Sequence, residues 1–182
     1  MGDEEAQGGA EFLDSEGFVA QAQLKTLVQG GWTTDQPALV VTSVAETKTR
    51  ADGQDLAYRR TVDGGSEERE TGGSPRRYER RVAFLRKRPG NPFPQMVSVG
   101  RAGNSDIVIR LAAISKVHAY FFREASGSWS LVDQRSRNGT FLNAKRLEAG
   151  ERLPLTCGDR VRFAAEVTVL FVTPDGLAGA LA

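Results

Sequence analysis

The chain has 182 residues, 40% hydrophobic and 26% charged, the balance of a globular domain able to bury its own core. Its formal net charge of +1 excludes a polycation built to coat nucleic acid. One cysteine, Cys157, and one histidine, His118, exclude an intramolecular disulfide and leave too few ligands for zinc without several carboxylates in support.

In chain order, the first eleven residues, MGDEEAQGGAE, are acidic and Gly-rich and are expected to be disordered. They lack the basic and apolar regions of a signal peptide, and no stretch is apolar enough for a membrane span, so a cytoplasmic protein without membrane association is expected. Over 13–29, Leu13, Ala20, Leu24, Leu27 and Val28 recur at helical spacing, with Asp14 or Ser15 placed to cap the start and Gly30-Gly31 to end it. This predicts one amphipathic helix whose apolar stripe needs a partner. Residues 37–46 are β-branched and predict a strand. Residues 47–79 are charged and Gly-rich and read as a mobile linker, with LAYRRTV at 56–62 as a candidate short strand. The basic run Arg76, Arg77, Arg80, Arg81, Arg86, Lys87 and Arg88 reads as solvated, edge-protecting charge, not a nucleic-acid patch, since no aromatics interleave it.

From residue 80 onward short strands follow one another: RVAFLRK, MVSVGR, DIVIR, HAYFFRE, WSLVDQ, TFLN, RLPLT, RVRFA and VTVLFV. Turn residues punctuate most of them, which argues for an all-β sandwich or barrel. VTVLFV reads as a central strand buried on both faces. Residues 177–182 are left as a C-terminal tail. Cys157 is expected to be a small buried residue, the common state of a free cysteine.

Three strand connections carry the polar residues of interest: Gly100-Arg101, then Ser115 to His118, then Ser136 to Thr140. Asn138-Gly139-Thr140 fits a glycosylation acceptor, which without a secretory route has no use. Asn-Gly also fits a turn, though that leaves Ser136 and Arg137 unexplained. In a sandwich alternate connections fall at one end, so the three loops can converge. Arg101, Ser115, Lys116, Arg137 and Asn138 would then form a donor cluster suited to a dianion such as phosphate, with about −1.5 to −2 charge.

The series Gly-Arg, Ser-x-x-His, Asn-Gly-Thr resembles the forkhead-associated (FHA) domain over about residues 80–176, and Gly158-Asp159 resembles that family's late turn. The resemblance implies a β-sandwich of about eleven strands that binds phosphothreonine peptides, without catalysis, cofactor or metal. Residues 1–79 would then be an N-terminal extension containing the helix. The resemblance assigns Arg101, Ser115 and Lys116 to the phosphate, Asn138 and Arg137 to the peptide, and Gly100, His118, Gly139 and Thr140 to loop structure. Ala113 stands where some members carry an arginine that selects the residue three after the phosphothreonine, which puts that preference in doubt. Ala144 stands where glycine is usual. The implied partner is a phosphothreonine protein or peptide, a Ser/Thr kinase or its substrate. An intramolecular ligand is a second candidate, since Thr47, Thr49, Thr61 and Thr71 lie in the linker. A structural adaptor docking through the N-terminal helix is the alternative function.

Overall fold

Period-two burial assigns each strand its two faces. The protein is described by a computed structural model over residues 16–31, 33–44 and 81–182. Twelve strands and two short helices occur among the described residues. The strands are β1 (Phe18–Ala20), β2 (Ala38–Val44), β3 (Arg81–Phe84), β4 (Met96–Gly100), β5 (Ile107–Val108), β6 (Ala119–Arg123), β7 (Trp129–Asp133), β8 (Thr140–Leu142), β9 (Lys145–Arg146), β10 (Arg152–Leu155), β11 (Arg160–Phe163) and β12 (Val167–Val172). Helix α1 (Gln21–Gln29) follows β1 and α2 (Pro174–Ala180) follows β12. A seven-stranded sheet runs β1-β3-β2-β12-β11-β8-β9, and a five-stranded sheet runs β10-β7-β6-β4-β5. The expected all-β sandwich is therefore present.

The main core lies between the sheets. Val97, Val99, Phe121 and Leu131 from one meet Leu39, Val41, Phe163 and Phe171 from the other. A second apolar layer covers the outer face of the seven-stranded sheet, where Val40, Val82, Phe84 and Val172 pack with Leu24 of α1 and Leu177 and Leu181 at α2. The two layers explain why β3 and β12 have few polar positions: Ala83 faces the main core while Val82 and Phe84 face the helices. β12 is central, as VTVLFV predicts. In β2 the register against β12 shifts between Thr168 and Val169, where Thr42 is the extra residue. That bulge restores Val44 to the main core, which strict alternation from Val41 would forbid.

The N-terminal part differs from the expected helix over 13–29. The helix begins at Gln21, preceded by β1, which pairs antiparallel with β3. Gly17 takes φ +88°, and the chain then runs extended, so that Phe18 fills the main core and Val19 the outer layer. Filling two layers at once outweighs helical propensity there. Ala20 is exposed and Leu24 is the buried residue of α1, while Gly30 and Gly31 do end the helix. Residues 13–15 lie outside the described residues, as do 45–80 with the expected linker and candidate strand.

The sandwich also draws on more of the chain than residues 80–176. β1 and β2 are strands of the seven-stranded sheet, and Leu181, in the expected tail, is buried against it. The Glu16 carbonyl accepts the Val108 N–H at 2.9 Å, and its carboxylate pairs with Arg110 Nε at 2.9 Å, fastening the start of the described chain to β5. Cys157 is exposed, contrary to expectation. It sits at the tip of the β10–β11 turn, which closes through Thr156 N–H to Asp159 Oδ2 at 2.8 Å and Gly158 at φ +94°. Turn geometry sets its position, and its Sγ accepts from Thr173 N–H at 3.5 Å.

Asp106 ties the β3–β4 connection to the five-stranded sheet. Its side chain is fully buried and accepts from Lys87 Nζ (2.8 Å), Arg88 N–H (2.8 Å), Asn91 Nδ2 (2.7 Å), and Ser98 N–H (2.7 Å) and Oγ (2.8 Å). Burial alone would raise its pKa, but these donors together hold it below the ordinary carboxylate value. Part of the predicted basic run thus has a structural use: Lys87 neutralises a buried carboxylate.

Candidate functional site

The site forms at the end of β4, where Gly100 must let another chain segment pass. A Cβ at Gly100 would clash with the Lys116 carbonyl, and Ser105 Oγ would lie 3.0 Å away. This close approach lets Arg101 N–H donate to Ser115 O (2.9 Å) and Ala102 N–H to Lys116 O (3.1 Å). The loop after β4 and the loop before β6 are thereby zipped together by backbone bonds. The Arg101 side chain follows the same path, its Nε donating to Ile114 O at 3.1 Å. Its terminal guanidinium nitrogens and the Lys116 ammonium have no hydrogen-bond or ion-pair partner among the described residues.

The loop before β8 joins through side chains. Arg137 N–H donates to Ser115 Oγ at 3.0 Å, and Asn138 Nδ2 donates to Ala113 O at 2.8 Å. Ser115 Oγ accepts there and keeps its own hydrogen to donate. Asn138 keeps its carbonyl oxygen and a second amide hydrogen. Arg101, Ser115, Lys116, Arg137 and Asn138 therefore meet at one end of the sandwich, with Arg101, Lys116 and Arg137 exposed.

His118 is buried beneath them. Ser115 N–H donates to its Nδ1 at 3.1 Å, which makes Nδ1 the acceptor and places the proton on Nε2. Nε2–H then donates to Gly139 O at 3.1 Å, and that carbonyl also accepts Ala164 N–H at 2.9 Å. The ring stacks edge-on against Phe163, centroids 5.8 Å apart. One neutral imidazole thus spans the second and third loops. Burial is the main cause that lowers its pKa; the Gly139 bond and the Asp133 charge act in the other direction.

With the folded value below that of the unfolded chain, the neutral ring's contribution is complete above about pH 6.5 and is lost as pH falls through the folded value. Thermal unfolding of the unliganded protein is expected to show a fall in midpoint that begins below about pH 6.5 and is missing from His118→Gln. A midpoint equally pH-dependent in both proteins would contradict this role.

The third loop owes its shape to a residue that the motifs do not include. Asp133, buried at the end of β7, accepts Ser136 N–H on Oδ1 (3.0 Å) and both Ser136 Oγ (2.5 Å) and Thr140 Oγ1 (2.6 Å) on Oδ2. Ser136 and Thr140 are thus spent on the loop itself, which answers why a serine precedes Arg137. The sequence signal is an Asp three residues before a Ser and seven before a Thr, a side-chain-closed turn. Gly139 has φ +82° and lies against Arg146, so the Asn-Gly turn is real as well.

A family model for the FHA domain matches residues 97–164. No curated protein sequence matches the chain. Among solved structures the chain is similar to Rad53 in complex with AMP-PNP, at 22% identity and TM-score 0.43, covering 48% of this chain and 24% of that one, so it spans about a quarter of that protein's length. It is similar to the N-terminal FHA domain of S. cerevisiae Rad53 in complex with a phosphothreonine peptide, at 18% identity and TM-score 0.46, covering 54% and 89%. It is also similar to an engineered FHA with a Myc-pTBD peptide, at 15% identity and TM-score 0.49, covering 81% and 98%. The stretch that matches the FHA-domain model, from β4 to just past β11, is the one that holds all three loops of the site.

Proposed function

We propose that this end of the sandwich binds a phosphothreonine-containing peptide, and that the protein is a phosphopeptide-recognition module in signalling, acting in the cytoplasm. The supporting observation is the set Arg101, Ser115 and Lys116: two cations without a counter-ion among the described residues, beside a hydroxyl that still has its hydrogen to give. A phosphate offers the complementary charge and three acceptor oxygens. Asn138 and Arg137 would hold the peptide backbone, while Gly100, His118, Gly139 and Thr140 keep the loops in place. A catalytic role for His118 has little support, because both ring nitrogens are engaged with backbone groups.

The partner we favour is a Ser/Thr kinase or its substrate. An intramolecular ligand also has topological support. Val44 ends β2 opposite Val167, next to the turn whose Ala164 N–H bonds Gly139 O. Val44 thus ends β2 at the end of the sheet that carries the site, and Thr47 and Thr49 follow it closely in sequence. The adaptor alternative loses support, since Leu24, the buried residue of its helix, is spent on the outer layer. Among the described residues no helix is long and apolar enough to cross a membrane.

Calorimetric titration of the full chain with matched threonine and phosphothreonine peptides tests the reading. Binding confined to the phosphorylated form is expected. Equal weak binding of both forms would return the adaptor as the better account.

A further inference from the structure

A sixth polar residue belongs to this end of the molecule. Asn143 and Ala144, at φ +48° and +72°, make the tight turn between β8 and β9 and set Arg146 opposite Phe141. Arg162 lies on the other side of Phe141 in register, its guanidinium 3.9 Å from the ring centroid. The row Arg162–Phe141–Arg146 therefore crosses the outer face of the seven-stranded sheet and ends at the third loop. There the Arg146 side chain fills the space above Gly139: a Cβ added at 139 would lie 2.7 Å from its Nε and 3.2 Å from its Cζ. Asn138 is the next residue along.

Arg146 is exposed and makes no hydrogen bond or ion pair among the described residues. The nearby carboxylates are engaged elsewhere. Asp133 is buried with its oxygens on Ser136 and Thr140. Asp159 accepts from Asn143 Nδ2 (2.7 Å) and Thr156 N–H (2.8 Å), and Glu166 is buried and accepts Ala165 N–H. Arg162 is anchored by Nη1 to Ala164 O at 3.1 Å. The row thus presents one anchored cation and one cation with no counter-ion among the described residues, the latter against Gly139, next in sequence to the residue whose amide is proposed to hold peptide.

We infer that Arg146 is a specificity-determining residue that pairs with an acidic side chain flanking the phosphothreonine. The inference rests on the phosphopeptide reading above. It also gives this chain a source of acidic preference at a place other than the position occupied by Ala113. Gly139 has a second reason to be glycine here: any side chain would displace the arginine from the rim of the site.

The test is titration of the full chain with a phosphothreonine peptide of neutral flanks, and with copies carrying one glutamate at each flanking position in turn. For the wild type, one or two of these glutamates are expected to tighten binding about 3–5-fold at low salt, the range for an exposed charge pair. In Arg146→Ala the ratio of acidic to neutral affinities is expected to fall to about one, in Arg146→Lys to be partly kept, and in Arg146→Glu to reverse in favour of a lysine copy. A glutamate preference equally large in Arg146→Ala, or none in the wild type, overturns the inference while leaving phosphate recognition standing. Wild-type binding that ignores phosphorylation removes the underlying reading and this inference with it.

Discussion

A fragment beginning at Arg81 is expected not to fold, whereas one beginning at Glu16 folds cooperatively. Removing the preceding residues takes β2 from between β3 and β12, and β1 from beside β3. The buried side chains lost are Phe18, Val19, Leu24, Leu39, Val40, Val41 and Val44. At about 1.5–3 kcal/mol for each buried apolar side chain, the loss is on the order of 10–20 kcal/mol. A domain of this size has about 5–15 kcal/mol of stability in all. The backbone groups of β12 that pair with β2 would also be left at a raw edge, a template for aggregation. Far-ultraviolet circular dichroism and thermal melting of the two fragments decide the matter. A sharp, native-like transition in the fragment from Arg81 would show that the first two strands are dispensable, and would restore the boundary near residue 80 that the sequence pattern suggests.

Arg101→Ala is expected to weaken phosphothreonine-peptide binding by about 30-fold or more while leaving the melting temperature of the free protein nearly unchanged. Truncating one partner of a desolvated, hydrogen-bonded charge pair costs about 2–5 kcal/mol, and each 1.4 kcal/mol is tenfold in affinity. The residue is exposed, and its one side-chain bond among the described residues goes to the Ile114 carbonyl. Its backbone N–H bond to Ser115, which helps hold the two loops together, survives the substitution. The expected loss is therefore in binding and not in folding. Calorimetry on one phosphopeptide with both proteins measures it, and an unchanged dissociation constant would take Arg101 out of the phosphate site.

Much of this was legible in the residues. The strand run from RVAFLRK to VTVLFV is punctuated by turns, and punctuation is a local signal. The three loops were legible because Gly-Arg, Ser-x-x-His and Asn-Gly-Thr sit at strand ends, where topology brings them together. The beginning of the fold was not. Phe18 and Val19 fall inside the expected helix over 13–29 because their strand partner, Val82–Ala83, lies more than sixty residues away, and pairing at that distance leaves no trace in a short window. Asp133 was missed for a related reason. Its three bonds go to residues inside the same loop, so it looks like the polar end of a strand until the loop is closed. Cys157 misled because residue-type burial says nothing about a turn tip.

Asp133 beneath the third loop and His118 between the second and third have a consequence for kinetics. The second and third loops are already fixed by these buried bonds, so little loop entropy remains to be lost when a peptide arrives. Encounter should then be a single fast step steered by charge, with association slowing as ionic strength rises and no slow rearrangement following capture. A rigid receptor of this kind sets residence time through the peptide's own fit, leaving release to follow the chemistry of the bound residue more than any motion of the protein.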